Sequence, residues 1–251
     1  MPALLSDTAL IFGRYARKTL RSRFQMLFGM LMPLLYLVLF GPLLTRLPLD
    51  SDRSSWQVLA PGLLLQLALF GASFAGFAII VEKGQGVVDR MRATPVSRLA
   101  LLLGRVLLDA ALLTFQAVLL IAAALVMGLR APVAGLLVGF AFVAVLTVAL
   151  SSLSYTLAMR LSVPHAFGAT INAVTLPTML LSGLMLPMTL APGWLDTLSR
   201  FAPLRHPVDA VRDAFAGRYA TTPMLYGVLV AVGLAALAVT VGTRAFRADR
   251  A

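Results

Sequence analysis

The residues in this chain best able to do bond chemistry are two histidines, a set of serines and ten carboxylates. His165 and His206 are separated by a long apolar run. If that run crosses a membrane, the two rings lie on opposite sides and cannot share one metal. Neither has a second His or a Glu at ligand spacing. A nucleophilic site on His206 and Asp209 would need an accessible serine, and no G-x-S-x-G elbow is present. The absence of cysteine removes thiolate chemistry, disulfides and Cys-ligated metal. A phosphate-cradling loop would read G-x-x-x-x-G-K-[ST], but Gly84-Gln85-Gly86 lacks the Lys-Ser/Thr that must follow. The chain therefore reads as a non-enzyme that holds no metal and no nucleotide.

Polar side chains set inside apolar runs point to a different chemistry, passage. Gln66, Ser73, Gln116, Asn172 and Ser182 are the candidates for a cargo path, with Ser151, Ser152 and Ser154 beside them. The alternative for each is a hydrogen bond between neighbouring helices. Asp109 is the one carboxylate within a run, and an intramembrane acid is a functional candidate by default. Arg105 stands four residues earlier on the same helical face, so a structural ion pair is expected there. Such scarcity of buried charge argues against a carrier coupled to protons or sodium.

The remaining polar cluster is Glu82–Arg98, EKGQGVVDRMRATPVSR, between apolar runs 58–81 and 106–127. Each charge would cost about 2.5–3.5 kcal/mol at a bilayer centre, which places the cluster outside the hydrocarbon. Val87, Val88 and Met91 share one helical face, and Asp89, Arg90 and Arg92 look elsewhere. Pro95 ends that helix, and Ser97 can cap the next. A short amphipathic helix across the mouth of two spans is a docking surface, or else an ordinary basic loop.

Composition and pattern define the elements that carry these residues. The chain is 60% hydrophobic and 12% charged, with a mean hydropathy of +0.91. Its net charge of +11 comes from cations in the gaps between apolar runs, not from one patch with interleaved aromatics, so no nucleic-acid partner is expected. Six runs, at about 24–45, 57–81, 105–128, 132–158, 166–188 and 223–243, meet the roughly 20 residues needed to span a bilayer. None alternates with period two as barrel strands would. The expected fold is an all-α membrane protein of six spans in a single domain, 1–251. Counted over the connections, fourteen Lys and Arg lie on one side and seven on the other. This puts both termini and the 82–98 cluster in the cytoplasm.

Two segments lie beside the spans. In 3–23, Leu5, Ala9, Phe12, Ala16 and Leu20 form one stripe opposite Asp7, Arg14, Lys18 and Arg21, as in a helix lying in the interface of an anionic bilayer. A signal peptide is the alternative, but the following run is too long for an h-region and no small-residue cleavage site appears after it. In 189–222, Pro192 starts a short helix with Trp194, Leu195, Leu198 and Phe201 on one side. Pro207 starts another, with Val208, Val211 and Phe215 opposite Asp209, Arg212 and Asp213. Trp194 and Phe201 are expected to pack against the external ends of the spans.

These motifs resemble the permease subunits of type-2 ABC exporters over nearly the whole chain. The cytoplasmic signature reads Glu82, Lys83, Gly84, Arg90, Arg92, Pro95, Ser97 and Arg98. The external one, P…SG…P…P-x-W…P…D-A-x-R, falls in Leu176–Phe215. Within the family the chain looks most like daunorubicin-resistance drug-export permeases, then nodulation-type and polysaccharide-export permeases. It departs in APLRHPVDAVR (202–212), where relatives more often carry an N-P-L-T-like turn.

The resemblance implies an exporter of hydrophobic or amphipathic cargo in a bacterial inner membrane; the alternatives are glycan export or an ion-coupled carrier. It implies two permeases, alike or different, with two ATPase subunits that hold ATP and Mg. It makes Glu82, Lys83, Gly84, Val87, Val88, Arg90, Met91, Arg92, Pro95 and Arg98 the coupling surface. Of these, Glu82, Arg90 and Arg92 are expected to meet opposite charges at its rim. It makes the external helices re-entrant, with Pro187, Trp194, Phe201, Asp209 and Arg212 at an outer gate.

Overall fold

The structure, a computed structural model, describes residues 2–21, 23–44, 55–86, 97–161, 163–185, 188 and 191–248. These form helices α1 (Pro2–Arg21), α2 (Arg23–Leu44), α3 (Ser55–Ser73), α4 (Phe77–Gly84) and α5 (Arg98–Val126). They continue as α6 (Val133–Arg160), α7 (Pro164–Leu181), α8 (Gly193–Ser199), α9 (Arg205–Phe215) and α10 (Thr222–Ala248). No strand occurs among the described residues.

Four helical stretches are long and apolar enough to cross a membrane: Trp56–Gly84, Leu99–Val126, Val133–Arg160 and Thr222–Ala245. The expected first span coincides with α2, in which Gly29–Leu39 forms a shorter apolar helix. The expected fifth coincides with α7, whose 18 residues stop at Ser182 and the left-handed Gly183 (φ 68°). Within the second span the helix breaks at Phe74–Gly76, although the sequence there is uniformly apolar and lacks proline.

α3 is the most enclosed of the four and α10 the least. Leu59, Leu63, Leu64, Leu120, Leu146 and Phe215 are fully buried around α3 and make the centre of the main core. A Cβ at Gly62 would collide with the carbonyl oxygen of Leu184, so only glycine lets the chain beyond α7 lie this close to α3. A second core, around Ile79, Leu102, Tyr155 and Phe167, sits at the opposite end.

α1 lies on α5 through Thr8, Ile11 and Tyr15, and a Cβ on Gly104 would fall 2.6 Å from Ile11 Cγ2. Leu5 and Leu20 point away from the bundle, as a lipid-facing stripe requires. The capping expectation at Ser97 holds, since its Oγ accepts from Ala100 N–H at 3.2 Å.

Candidate coupling and gating sites

The start of the Glu82–Arg98 motif turns into the protein. Glu82, near the end of α4, is 4% exposed. Its Oε2 pairs with Arg105 Nη2 at 2.6 Å and accepts from Tyr15 Oη at 3.0 Å. Arg105 also donates to Tyr15 Oη at 2.5 Å and stacks 4.6 Å from that ring. Lys18, largely exposed, reaches Oε1 at 3.5 Å. One carboxylate thus ties α4 to α1 and α5. Burial, opposed by Arg105 and reinforced by Glu82, pushes the Tyr15 phenol up to about 12. The neighbouring Lys83 donates to the carbonyl of Met159 at 2.7 Å, a cation placed on the negative end of α6.

This corrects two expectations. Glu82 is not a rim charge open to a partner: it is a buried clamp within the chain. Nor is Arg105 the partner of Asp109, whose Oδ2 accepts from Tyr155 Oη at 2.5 Å. The physical reason is helix polarity. A cation four residues before an acid is the weaker order of the pair, and side chains lean toward the helix N-terminus. Arg105 leans toward Glu82 at the start of α5. Gly84 is exposed, and Gly86 closes the turn after α4 with φ 66°. Val87, Val88, Arg90, Met91, Arg92 and Pro95 lie outside the described residues, as does the side chain of Arg98.

At the other end of the bundle, Arg205 holds the corner between α8 and α9. It pairs with Asp196 Oδ1 at 2.6 Å, donates to the Asp196 carbonyl at 2.8 Å and to Ser199 Oγ, and lies 3.6 Å from Asp209. Hydrogen bonds from Arg200 and then Arg205 hold the Asp196 carboxyl below its ordinary value. Burial pushes the Asp209 carboxyl up, against the pull of Arg212 and Arg205.

Arg212 is 2% exposed and donates to the carbonyls of Gly183 at 2.6 Å and Val58 at 3.4 Å. It thereby joins α9 to the end of α7 and the start of α3. Asp213, also buried, pairs with Arg218 at 2.7 Å. On the supposed polar side of α9, Arg212 and Asp213 therefore face inward, while Asp209 stays partly exposed.

The expectation for α8 is overturned. Trp194 is 70% and Phe201 84% exposed, so neither packs against the spans. The polar links of Asp196 and Ser199 to Arg205 fix the inward side of this short helix, and Trp194, Leu198 and Phe201 are left pointing out. Pro187 lies outside the described residues.

The cargo-path candidates do not share one surface. Gln66, Ser73, Gln116 and Ser182 are buried, whereas Asn172 is exposed on α7. Ser182 donates to Thr178 O within its own helix, and the Gln116 amide packs on Gly29 of α2. Tyr15 and Tyr155 escape the sequence reading, and Ser154 enters it only as a polar residue beside the cargo path. Tyr15 carried a signal, since it follows Ile11 at helical spacing and precedes Lys18 by three.

Four helices of membrane-spanning character, a helix clamped to them at one end and two short helices at the other describe a multi-pass membrane protein. A family model described as ABC-2 type transporter matches residues 7–216, and the chain belongs to that family. Its homologues include a "Daunorubicin resistance ABC transporter permease protein DrrB1" of Streptomyces coeruleorubidus. That protein is 26% identical over 220 residues, covering 86% of this chain and 77% of the relative. A "Probable doxorubicin resistance ABC transporter permease protein DrrC" of Mycobacterium tuberculosis is 22% identical, over 90% of this chain and 82% of the relative. A "Putative transport permease ycf38" of Cyanophora paradoxa is 26% identical over 73% of this chain, and the match spans 65% of the relative's length.

Proposed function

We propose that this chain is the permease subunit of an ATP-driven exporter for a hydrophobic or amphipathic cargo. In this reading α2 and α7 complete six spans, and both termini face the cytoplasm of a bacterial inner membrane. A separate ATPase, in two copies, supplies ATP and Mg, and a second permease chain, alike or different, completes the path. The carrying observation is the Glu82–Lys83 dipeptide. It stands immediately before the amphipathic 87–92 stretch and binds three helices through Arg105, Tyr15, Lys18 and Met159 O. A force applied to the loop would reach α1, α5 and α6 together. The drug-resistance names of two relatives support drug-like cargo.

The test is reconstitution with a candidate partner ATPase, using an anthracycline as probe cargo in inverted vesicles. ATP-dependent accumulation that vanishes when the ATPase lacks its catalytic carboxylate is the expected result. Accumulation driven equally by a proton gradient without ATP would refute the proposal.

A further inference from the structure

The break in the second span is sealed by a residue that the coupling and gating corners do not use. In a continuous helix Phe77 N–H would reach Ser73 O, and Gly76 N–H would reach Ala72 O. Here Phe77 N–H bonds Phe74 O at 3.0 Å, and Ala75 N–H takes Ala72 O at 3.2 Å. Two backbone groups are thereby released inside the membrane, where an unsatisfied polar group is costly. One hydroxyl from α6 satisfies both. Ser154 Oγ donates to Ser73 O at 2.5 Å and accepts from Gly76 N–H at 2.9 Å. A Cβ at Gly76 would lie 2.5 Å from the Ser154 carbonyl oxygen, so glycine is what allows the two backbones this approach.

The piece beyond the break is short and held on one side. α4 has eight residues, with Ile79, Ile80 and Glu82 buried against the protein while Phe77 and Val81 face outward. Its far end carries the Glu82–Lys83 clamp and leads into the cytoplasmic loop. α3, before the break, is locked into the main core. The element that would receive a push from the loop is therefore joined to the fixed core through a hinge. Two of that hinge's backbone groups, Ser73 O and Gly76 N–H, are bridged by one side chain, which can let go and re-form without unfolding either helix.

We infer that Ser73–Gly76 is the hinge on which α4 turns during transport, and that Ser154 is the positioning residue that sets its resting angle. This rests on the exporter reading above. The experiment is hydrogen exchange on the wild-type permease with its ATPase in nanodiscs, nucleotide-free and trapped with ADP-vanadate. It is paired with Ser154→Ala, read for ATPase co-purification and for cargo moved per ATP hydrolysed.

Exchange across 74–80 should rise on trapping by about tenfold, the scale of one lost buried hydrogen bond, while 58–70 stays unchanged. S154A should keep the ATPase bound and keep hydrolysis, yet move several-fold less cargo per ATP. If S154A does not fold, the wild-type exchange decides alone. Equal exchange of 74–80 in the two states, or wild-type coupling in a folded S154A, would overturn the hinge. Failure of the wild-type chain to retain any ATPase would instead overturn the exporter reading.

Discussion

Replacing Glu82 by Gln removes the charge from the clamp between α4, α1 and α5 while keeping its shape, which makes the clamp's energetics measurable. Glu82 and Arg105 side chains are 5% and 7% exposed and 2.6 Å apart. Deleting one partner of a buried pair strands the other charge and costs about 3–5 kcal/mol. Gln can still accept from Tyr15 Oη, so the low end, about 3 kcal/mol, is expected, or roughly a hundredfold in the clamped population. Lys18 shares the same carboxylate at 3.5 Å but is 72% exposed, so Lys18→Gln should cost only about 0–1 kcal/mol. Thermal unfolding in nanodiscs measures both, and Arg105→Met with the double variant completes a cycle. The double variant should be less destabilised than the two single losses together. If E82Q and K18Q cost the same, the clamp is not a buried ion pair and the reasoning fails.

The remaining predictions concern both ends of the molecule. Tyr15 has its phenol raised to about 12, so its contribution is complete below the unfolded value near 10 and is lost as pH rises from there through 12. Protection of α1 from protease should fall over that window, and Tyr15→Phe should remove the fall. Arg212→Met leaves the carbonyls of Gly183 and Val58 without their cation and should lower stability by about 2–3 kcal/mol in a denaturation assay. Trp194→Ser with Phe201→Ser removes two exposed aromatics and should change the unfolding midpoint of the detergent-solubilised chain by no more than about 0.5 kcal/mol equivalent.

Much of the architecture was legible because the bilayer imposes a strict code. Long apolar runs, the cap at Ser97, the outward-pointing Leu5 and Leu20, and the short helices after Pro192 and near Pro207 could all be read from residue type and spacing. The clamp was not legible in the same way. Spacing puts Glu82 beside other charges in a polar stretch, but only packing shows that α4 turns it onto α5 and α1. Arg105 was assigned to Asp109 on proximity along one helix; helix polarity and a phenol from α6 favoured different partners. Trp194 and Phe201 looked like core anchors because they are aromatic, yet the ionic corner at Asp196 and Arg205 decides which way α8 faces. The break at 74–76 left no proline as a sign. Gly76 alone marks it, and its reason lies 78 positions away at Ser154.

Co-purification tests most directly the proposal that an ATPase engages this permease through the loop that follows the Glu82–Lys83 clamp, up to Arg98. The wild-type chain, Val88→Asp and Arg92→Ala are each expressed with the ATPase, captured through the permease, and assayed for cargo-stimulated hydrolysis after reconstitution. An apolar anchor entering a groove contributes more than an exposed charge at its rim, for which about 0–1 kcal/mol is typical. V88D should therefore lose the ATPase or its stimulation, while R92A keeps both at physiological salt. Wild-type association and stimulation in V88D would show that the stretch is an ordinary basic loop.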